Sequence, residues 1–203
     1  MASQFSTLNS QFQYSARYDA ALALAARAHR DQLRKGTDLP YVTHPVHVSI
    51  ILLRHGFGED LAIAGLLHDV VEDTDTSLAL ISAEFGDDVA RLVEAVSETK
   101  SADGATLPWE QRKAEKLAHL QASGPEVAAL KAADAIHNLR SIIADLLSVG
   151  LAVWERFKRG PAPTLGYYHA ILDAVRAKLG THPIVAELAD ALAELEGAVA
   201  EQA

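Results

Sequence analysis

Two ionisable pairs, His68-Asp69 and Glu72-Asp73, follow the apolar stretch that runs from Leu61 to Leu67. Read as one helix, the stretch sets His68 and Glu72 four residues apart, and Asp69 and Asp73 likewise. All four then share a face of about a turn and a half. The other faces are apolar, and such a helix is expected to be buried. Three carboxylates and an imidazole in an interior are costly unless a cation or a proton compensates them. A solvated surface would need a polar face along the whole helix, which Leu61 to Leu67 does not offer. The chemistry implied is metal ligation or acid–base work.

Two further positions have the chemistry of ligands. His44 stands in Tyr41-Val42-Thr43-His44-Pro45, at the start of a helix that is otherwise apolar on its inner side. Asp134 stands in a polar stripe of Lys131, Asp134, His137, Asn138 and Ser141, on a helix whose other faces are Ala, Ile and Leu. Alone, a histidine at a helix start is commonly a capping or surface group, and a mid-helix Asp is commonly solvated or paired. Together, His44, His68, Asp69 and Asp134 give two imidazoles and two carboxylates from three core-packed helices. That is a mixed nitrogen–oxygen set with open positions. It suits Mn²⁺ or Fe²⁺, with Mg²⁺ or Zn²⁺ as alternatives, because such ligands select weakly among divalent ions. Without thiolates and with room for water, the set points to catalysis rather than to a structural metal.

The elements that must carry these residues are helices. Alanine and leucine are abundant while aromatics are 6% of the 203 residues, so helix propensity is high. Runs of β-branched residues bounded by turn residues are missing, and essentially no sheet is expected. Helical spacing covers Tyr14 to Leu33, then Arg34 to Pro40 breaks it. A second helix starts near Thr43, with Pro45 harmless in its first turn, and ends around Gly56. The helix carrying His68 spans about Glu59 to Asp73. Others follow over Ser77 to Phe85, Asp87 to Ser97, Pro108 to Ala122, Glu126 to Leu147, Leu165 to Leu179 and Pro183 to Ala200. Thr99 to Thr106, polar and containing glycine, reads as a mobile loop. The expected fold is an all-α globule of about 8–10 helices. Residues 1–12 form a loose lead-in, 13–150 the core and 151–203 a helical extension packed on it.

Composition limits the partners. The formal net charge is −9, which disfavours sequence-independent binding to nucleic acid polymers. A small anionic ligand is still served by Arg27, Arg30, Arg34 and Lys35, four cations within nine residues. Cysteine is absent, which excludes disulfides and fits a reducing cytoplasm. Met1 to Ser10 shows no signal-peptide pattern, and no apolar run approaches the roughly 20 residues of a membrane span. Oligomeric state is not readable.

The spaced set His44, His68-Asp69 and Asp134 resembles the H…HD…D ligands of the HD-domain metal phosphohydrolases. The likeness is closer to the hydrolase domain of the RelA/SpoT group. It rests on Arg34-Lys35-Gly36-Thr37 before Pro40-Tyr41-Val42-Thr43-His44-Pro45, and on His68-Asp69-Val70-Val71-Glu72-Asp73-Thr74. Phe85-Gly86 and Ala133-Asp134 followed by His137-Asn138-Leu139-Arg140 extend it. It covers roughly residues 14 to 146, in order. The chain is too short for the synthetase and regulatory domains of the long members, so it is similar to stand-alone small alarmone hydrolases of the Mesh1 type. Ala132 and Ala135, and the segment after about Leu147, depart from the family pattern.

This resemblance implies hydrolysis of the 3′-pyrophosphate of (p)ppGpp by a water activated by a metal, most often manganese. It assigns His44, His68, Asp69 and Asp134 to the metal, and Glu72 and Asp73 to the catalytic water. Arg34 and Lys35 would meet the nucleotide, and Asn138 and Ser141 the ribose and 3′-phosphates. The same residues would serve another phosphorylated nucleotide, such as NADPH or a nucleoside phosphate. A non-catalytic nucleotide binder fits less well, since Glu72 and Asp73 add negative charge beside an anionic ligand. Of the other histidines, His29 faces the same region as Arg30 and reads equally as a support for the ligands or as a packing or surface group, and His137 orients a ligand or satisfies a buried hydrogen bond. His47, His55, His119, His169 and His182 read as surface or structural groups. Tyr167 and Tyr168 read as core packing or as a wall of the nucleotide pocket.

Overall fold

Helix α3 (Glu59–Leu67) is the centre of the molecule, and every residue from Leu61 to Leu67 is buried. The computed structural model describes residues 15–97, 101–102, 105–157 and 159–202. Around α3 pack α1 (Ala16–Ala28), α2 (Thr43–Arg54), α6 (Asp87–Val96) and α8 (Pro125–Val149). Gly65 explains how α2 comes so close. A Cβ there would meet Leu52 Cδ1 at 2.9 Å and the Ser49 backbone at 3.2 Å, so only glycine admits the approach. That approach brings the start of α2, with His44, beside the end of α3.

The expected helix over residues 59–73 is interrupted. After α3 the chain turns through His68 and Asp69 and resumes as a single turn, α4 (Val70–Asp73). The His68 Nδ1 atom donates to the Gly65 carbonyl oxygen at 2.8 Å, an acceptor that a continuous helix would offer to the Asp69 amide. Apolar periodicity runs through this point and gives no warning of it. The first helix is likewise shorter than its periodicity suggests. It ends at Ala28, with turns at residues 29–31.

Helix α5 (Leu78–Phe85) begins at Ser77, whose side chain accepts from the Leu80 amide, an N-cap that satisfies an orphan donor. The expected lead-in over residues 1–12 lies outside the described residues. The loop expected over residues 99–106 lies partly outside them. Within it, β1 (Ser101–Ala102) pairs antiparallel with β2 (Ala105–Thr106). Apart from an isolated bridge between Leu33 and Pro40, this is the β structure among the described residues, so the fold is all-α.

Helix α7 (Trp109–Ala122) leads to α8, the longest helix. By length and composition, α8 with the following turn is apolar enough to cross a membrane. In the fold its apolar residues, Val127 to Leu146, face α2, α9 and α10 as core. A 3₁₀ segment, Gly150–Arg156, follows α8 where only a break was expected. Next come α9 (Pro161–Leu179) and α10 (Pro183–Gln202), both packed on α8. Pro161, expected in a joint, is the first residue of α9, where its missing N–H is harmless.

Candidate metal centre

Four of the predicted residues converge. His44 comes from the first turn of α2, His68 and Asp69 from the turn between α3 and α4, and Asp134 from the middle of α8. The Nε2 atoms of His44 and His68 face each other at 3.2 Å. Asp69 Oδ2 lies 3.5 Å from His44 Nε2 and 3.1 Å from His68 Nε2. Asp134 Oδ1 lies 3.4 Å from the first and 4.0 Å from the second. The two imidazoles are 2% and 4% exposed, so water screens this cluster little.

The ligand atoms of His44, His68 and Asp134 all lie within 4.8 Å of one another, a span compatible with one divalent ion among imidazole and carboxylate donors. The charges favour such an ion. Burial alone would lower the His68 pKa, but the neighbouring Asp69 carboxylate and its hydrogen bond, with Asp134 behind, lift it to about 9. Burial opposes ionisation of Asp69 as well, yet His68 and His44 hold it well below the usual carboxylate range. Burial is similarly outweighed at Asp134 by Lys131 and the two histidines. The cluster attracts a positive charge to its centre, as a metal site should.

A surrounding layer fixes the donors. The Tyr41 hydroxyl donates to Asp69 Oδ2 at 2.6 Å, and burial together with Asp69 raises its pKa. Lys131 Nζ lies 2.6 Å from Asp134 Oδ2, and Asn138 Nδ2 donates to Asp134 Oδ1 at 2.5 Å. With Nδ1 of His68 committed to Gly65, Nε2 is the nitrogen that meets the cluster. On the other imidazole, His44 Nδ1 lies 2.8 Å from His137 Nδ1, and His137 Nε2 lies 3.2 Å from His47 Nδ1. If His44 Nε2 offers its lone pair, Nδ1 carries the proton and His137 Nδ1 accepts it. His137 Nε2–H then points to His47, and the tautomers are set in series. Burial, with His44 and Arg34 nearby, lowers His137 to about 3, which keeps it a neutral acceptor.

The remaining predicted residues divide. Glu72 Oε2 lies 3.4 Å from Lys116 Nζ on α7. Asp73 is close enough to Tyr41 to help raise that hydroxyl's pKa, and its carbonyl accepts from Gln32 Nε2 at 2.8 Å. Arg34 Nη2 donates to Asn138 Oδ1 at 2.9 Å, and its guanidinium carbon stands 5.6 Å from the Tyr41 ring centroid. Lys35 and Ser141 are not drawn into the cluster. Lys35 Nζ donates to the Arg156 carbonyl, and Ser141 Oγ donates to the His137 carbonyl at 2.9 Å in its own helix. Arg27 and Arg30 are exposed, with Arg30 paired to Asp31.

Sequence reasoning gave no role to Tyr41 or Lys116 and read His47 as a surface or structural group; His47 is exposed, but its ring meets His137. His47 carried a signal, since it lies three residues after His44 on α2 and therefore near the same face. Tyr41 precedes the helix, where spacing says nothing about direction. His29 is buried, with its ring tilted against Tyr41 at a centroid distance of 4.8 Å.

The HD domain family matches residues 21–159, more than half of the chain. The chain belongs to the HD-domain family. Human MESH1, a guanosine-3′,5′-bis(diphosphate) 3′-pyrophosphohydrolase, is 41% identical over 125 residues, covering 60% of this chain and 67% of its own. A probable GTP pyrophosphokinase of Mycobacterium leprae is 38% identical over 128 residues, but this HD domain spans only 15% of that protein. A solved structure of a metazoan ortholog of SpoT that hydrolyzes ppGpp superposes with a TM-score of 0.73 at 27% identity. It covers 90% of this chain and 97% of that one. This HD domain is therefore related to the RelA/SpoT hydrolases and close to the Mesh1-type members.

Proposed function

We propose that the chain is a metal-dependent (p)ppGpp 3′-pyrophosphohydrolase, which yields GDP or GTP and intact pyrophosphate. One observation carries the reading: His44, His68, Asp69 and Asp134 meet through atoms 3.1–4.0 Å apart. The likeness to human MESH1 supports the substrate. In this reading those four residues hold one divalent ion, Mn²⁺ before Fe²⁺, Mg²⁺ or Zn²⁺. When bound, such an ion supplies Lewis acidity, acidifying water and offsetting charge on the phosphoryl group.

The chain's own residues do the rest. Glu72 and Asp73 orient the attacking water and accept its proton. Tyr41, Lys131 and Asn138 hold the two carboxylates in place. Arg34, whose guanidinium lies over the Tyr41 ring, and Lys35 receive the nucleotide, where a planar guanidinium matches a base and a lysine matches phosphate. Asn138 serves the ribose side from its bond to Asp134. Ser141 joins it when its hydroxyl turns away from the His137 carbonyl. The chemistry belongs to residues 13–150, and residues 151–203 act as an extension. The cytoplasmic setting that suits a cysteine-free chain belongs to the same proposal.

The test is purified protein with Mn²⁺ and a panel of ppGpp, NADPH, deoxynucleoside triphosphates and nucleoside monophosphates, followed by product chromatography. The expected result is cleavage of ppGpp ahead of the others. Cleavage of NADPH with ppGpp untouched would contradict it.

A further inference from the structure

Two rungs of ligating side chains join α2 to α8, and the metal centre uses the inner one, His44 and Asp134. Three residues further along each helix stand His47 and His137, about one turn on and near the same faces. His137 is half-buried and His47 is exposed. Their rings stack, with centroids 4.9 Å apart and planes 19° from parallel. His137 Nε2 faces His47 Nδ1 at 3.2 Å. On its other side, His137 Nδ1 faces His44 Nδ1 at 2.8 Å. A line of imidazoles therefore runs from solvent to a ligand of the metal centre.

The spacing of the outer rung fits a metal ion. With Zn²⁺–nitrogen bonds of about 2.0–2.1 Å, two nitrogens 3.2 Å apart subtend roughly 100° at a shared ion, near the tetrahedral angle. Exposed His47 can turn its ring to aim both lone pairs at that ion, and water completes the coordination. Imidazole suits Zn²⁺, Ni²⁺ or Cu²⁺, whereas carboxylate and water suit Mg²⁺ and Mn²⁺. The outer rung therefore prefers a different ion from the mixed nitrogen–oxygen centre.

We propose that His47 and His137 form a second divalent-metal site, for Zn²⁺ or another imidazole-seeking ion, and that filling it excludes the catalytic ion from His44. Proton placement makes the two sites exclusive. When His44 gives its Nε2 lone pair to the central ion, its Nδ1–H donates to His137 Nδ1, and His137 keeps its own proton on Nε2. That nitrogen then has no lone pair for a metal. When His137 Nε2 is a ligand, the ring carries its proton on Nδ1 and donates to His44 Nδ1. His44 then carries its proton on Nε2, facing Asp134 Oδ1 at 3.4 Å, and has no lone pair for the central ion. The three imidazoles hold three protons in either arrangement, so the exchange is one of tautomers and not of charge. By linkage, each ion weakens the other by the same factor. The exclusion rests on His44 being a ligand in the functional reading above, while the His47–His137 pair stands without it.

Two measurements test this. The first isolates the outer rung in chelator-stripped His68→Ala, whose central cluster has lost a ligand. Titration calorimetry with added Zn²⁺ should show one equivalent bound, and His47→Gln in that background should abolish it. The second follows Mn²⁺ by electron paramagnetic resonance, which reads the free ion as Zn²⁺ is added to the Mn²⁺-loaded protein. Direct competition at the centre releases Mn²⁺ from any variant, so the comparison is between wild type and His47→Gln, whose amide oxygen still accepts from His137 Nε2–H. Wild type should need on the order of tenfold less Zn²⁺ for half-release, within the usual range of coupling between sites. His119→Gln, a change at another exposed histidine, should behave as wild type. Circular dichroism checks that each variant is folded. Zn²⁺ binding to His68→Ala that is indifferent to His47→Gln overturns the site. An equal Zn²⁺ requirement in wild type and His47→Gln overturns the exclusion. His47-dependent Zn²⁺ binding and Mn²⁺ release in a protein that leaves ppGpp uncleaved uphold the proposal and overturn the functional reading alone.

Discussion

Glu187 on α10 and the Asp69–Asp134 pair are both mostly buried carboxylate sites, set in very different company. Glu187 meets Arg54 at the end of α2, His55 just after it and Arg140 from α8, the last two at 2.6 and 2.8 Å. One negative charge faces two permanent cations, and the cluster is complete as it stands. Around Asp69 and Asp134, the permanent cation in contact is Lys131, joined by two buried imidazoles and the donors Tyr41 and Asn138. Two carboxylates there have less positive charge than they require, and His68 is lifted to about 9 in response. A cluster that closes itself fastens helices together. One that is left short of positive charge is prepared for a ligand.

The contrast is broken most severely at the metal centre. His68→Ala or Asp69→Ala should abolish both bound metal and hydrolysis while the far-ultraviolet circular dichroism stays helical. Full metal occupancy in either purified variant, measured by elemental analysis, would remove that ligand from the assignment. At the other region the effect should be on folding alone. Leu188, fully buried on α10, should cost about 2–5 kcal/mol of stability as Leu188→Ala. Denaturant unfolding measures this, and metal content of the folded fraction should not change.

Much of the centre was legible in the sequence because chemistry and spacing coincided there. His44, His68, Asp69 and Asp134 are polar residues at positions where apolar ones would be expected, so they stand out without a structure. The break at His68-Asp69 was not legible, because it arises from a side-chain bond to the Gly65 carbonyl and the hydrophobic pattern continues across it. Lys116 reaches Glu72 from a helix 44 residues away in sequence, a contact that no local pattern encodes. Glu187 drew no attention either, since an acidic residue on an amphipathic helix reads as solvated until Arg54, His55 and Arg140 are brought to it.

A finer cut divides the centre itself. Glu72→Gln and Asp73→Asn should retain metal but lose kcat, by on the order of 10²-fold or more for a positioned acid–base group. Steady-state kinetics on metal-loaded protein decides this. A variant with wild-type kcat takes that residue out of the mechanism. The smallest effect should come from Glu187→Gln, about 1 kcal/mol for weakened charge-assisted contacts. Its sign with pH is fixed. Burial would raise the Glu187 pKa, but His55 and Arg54 hold it below the ordinary value. Its contribution is therefore present above the usual carboxylate range and disappears as pH falls through the lowered folded-state value. Thermal melts of wild type and variant should converge at acid pH and separate near neutrality.

Phosphorus NMR of the products formed from ppGpp, recorded after chelating the metal, tests the central claim most directly. The account predicts GDP and intact pyrophosphate as the first products, formed only when a divalent metal is supplied. Orthophosphate as the first product, or the same products at the same rate in excess chelator, would contradict it.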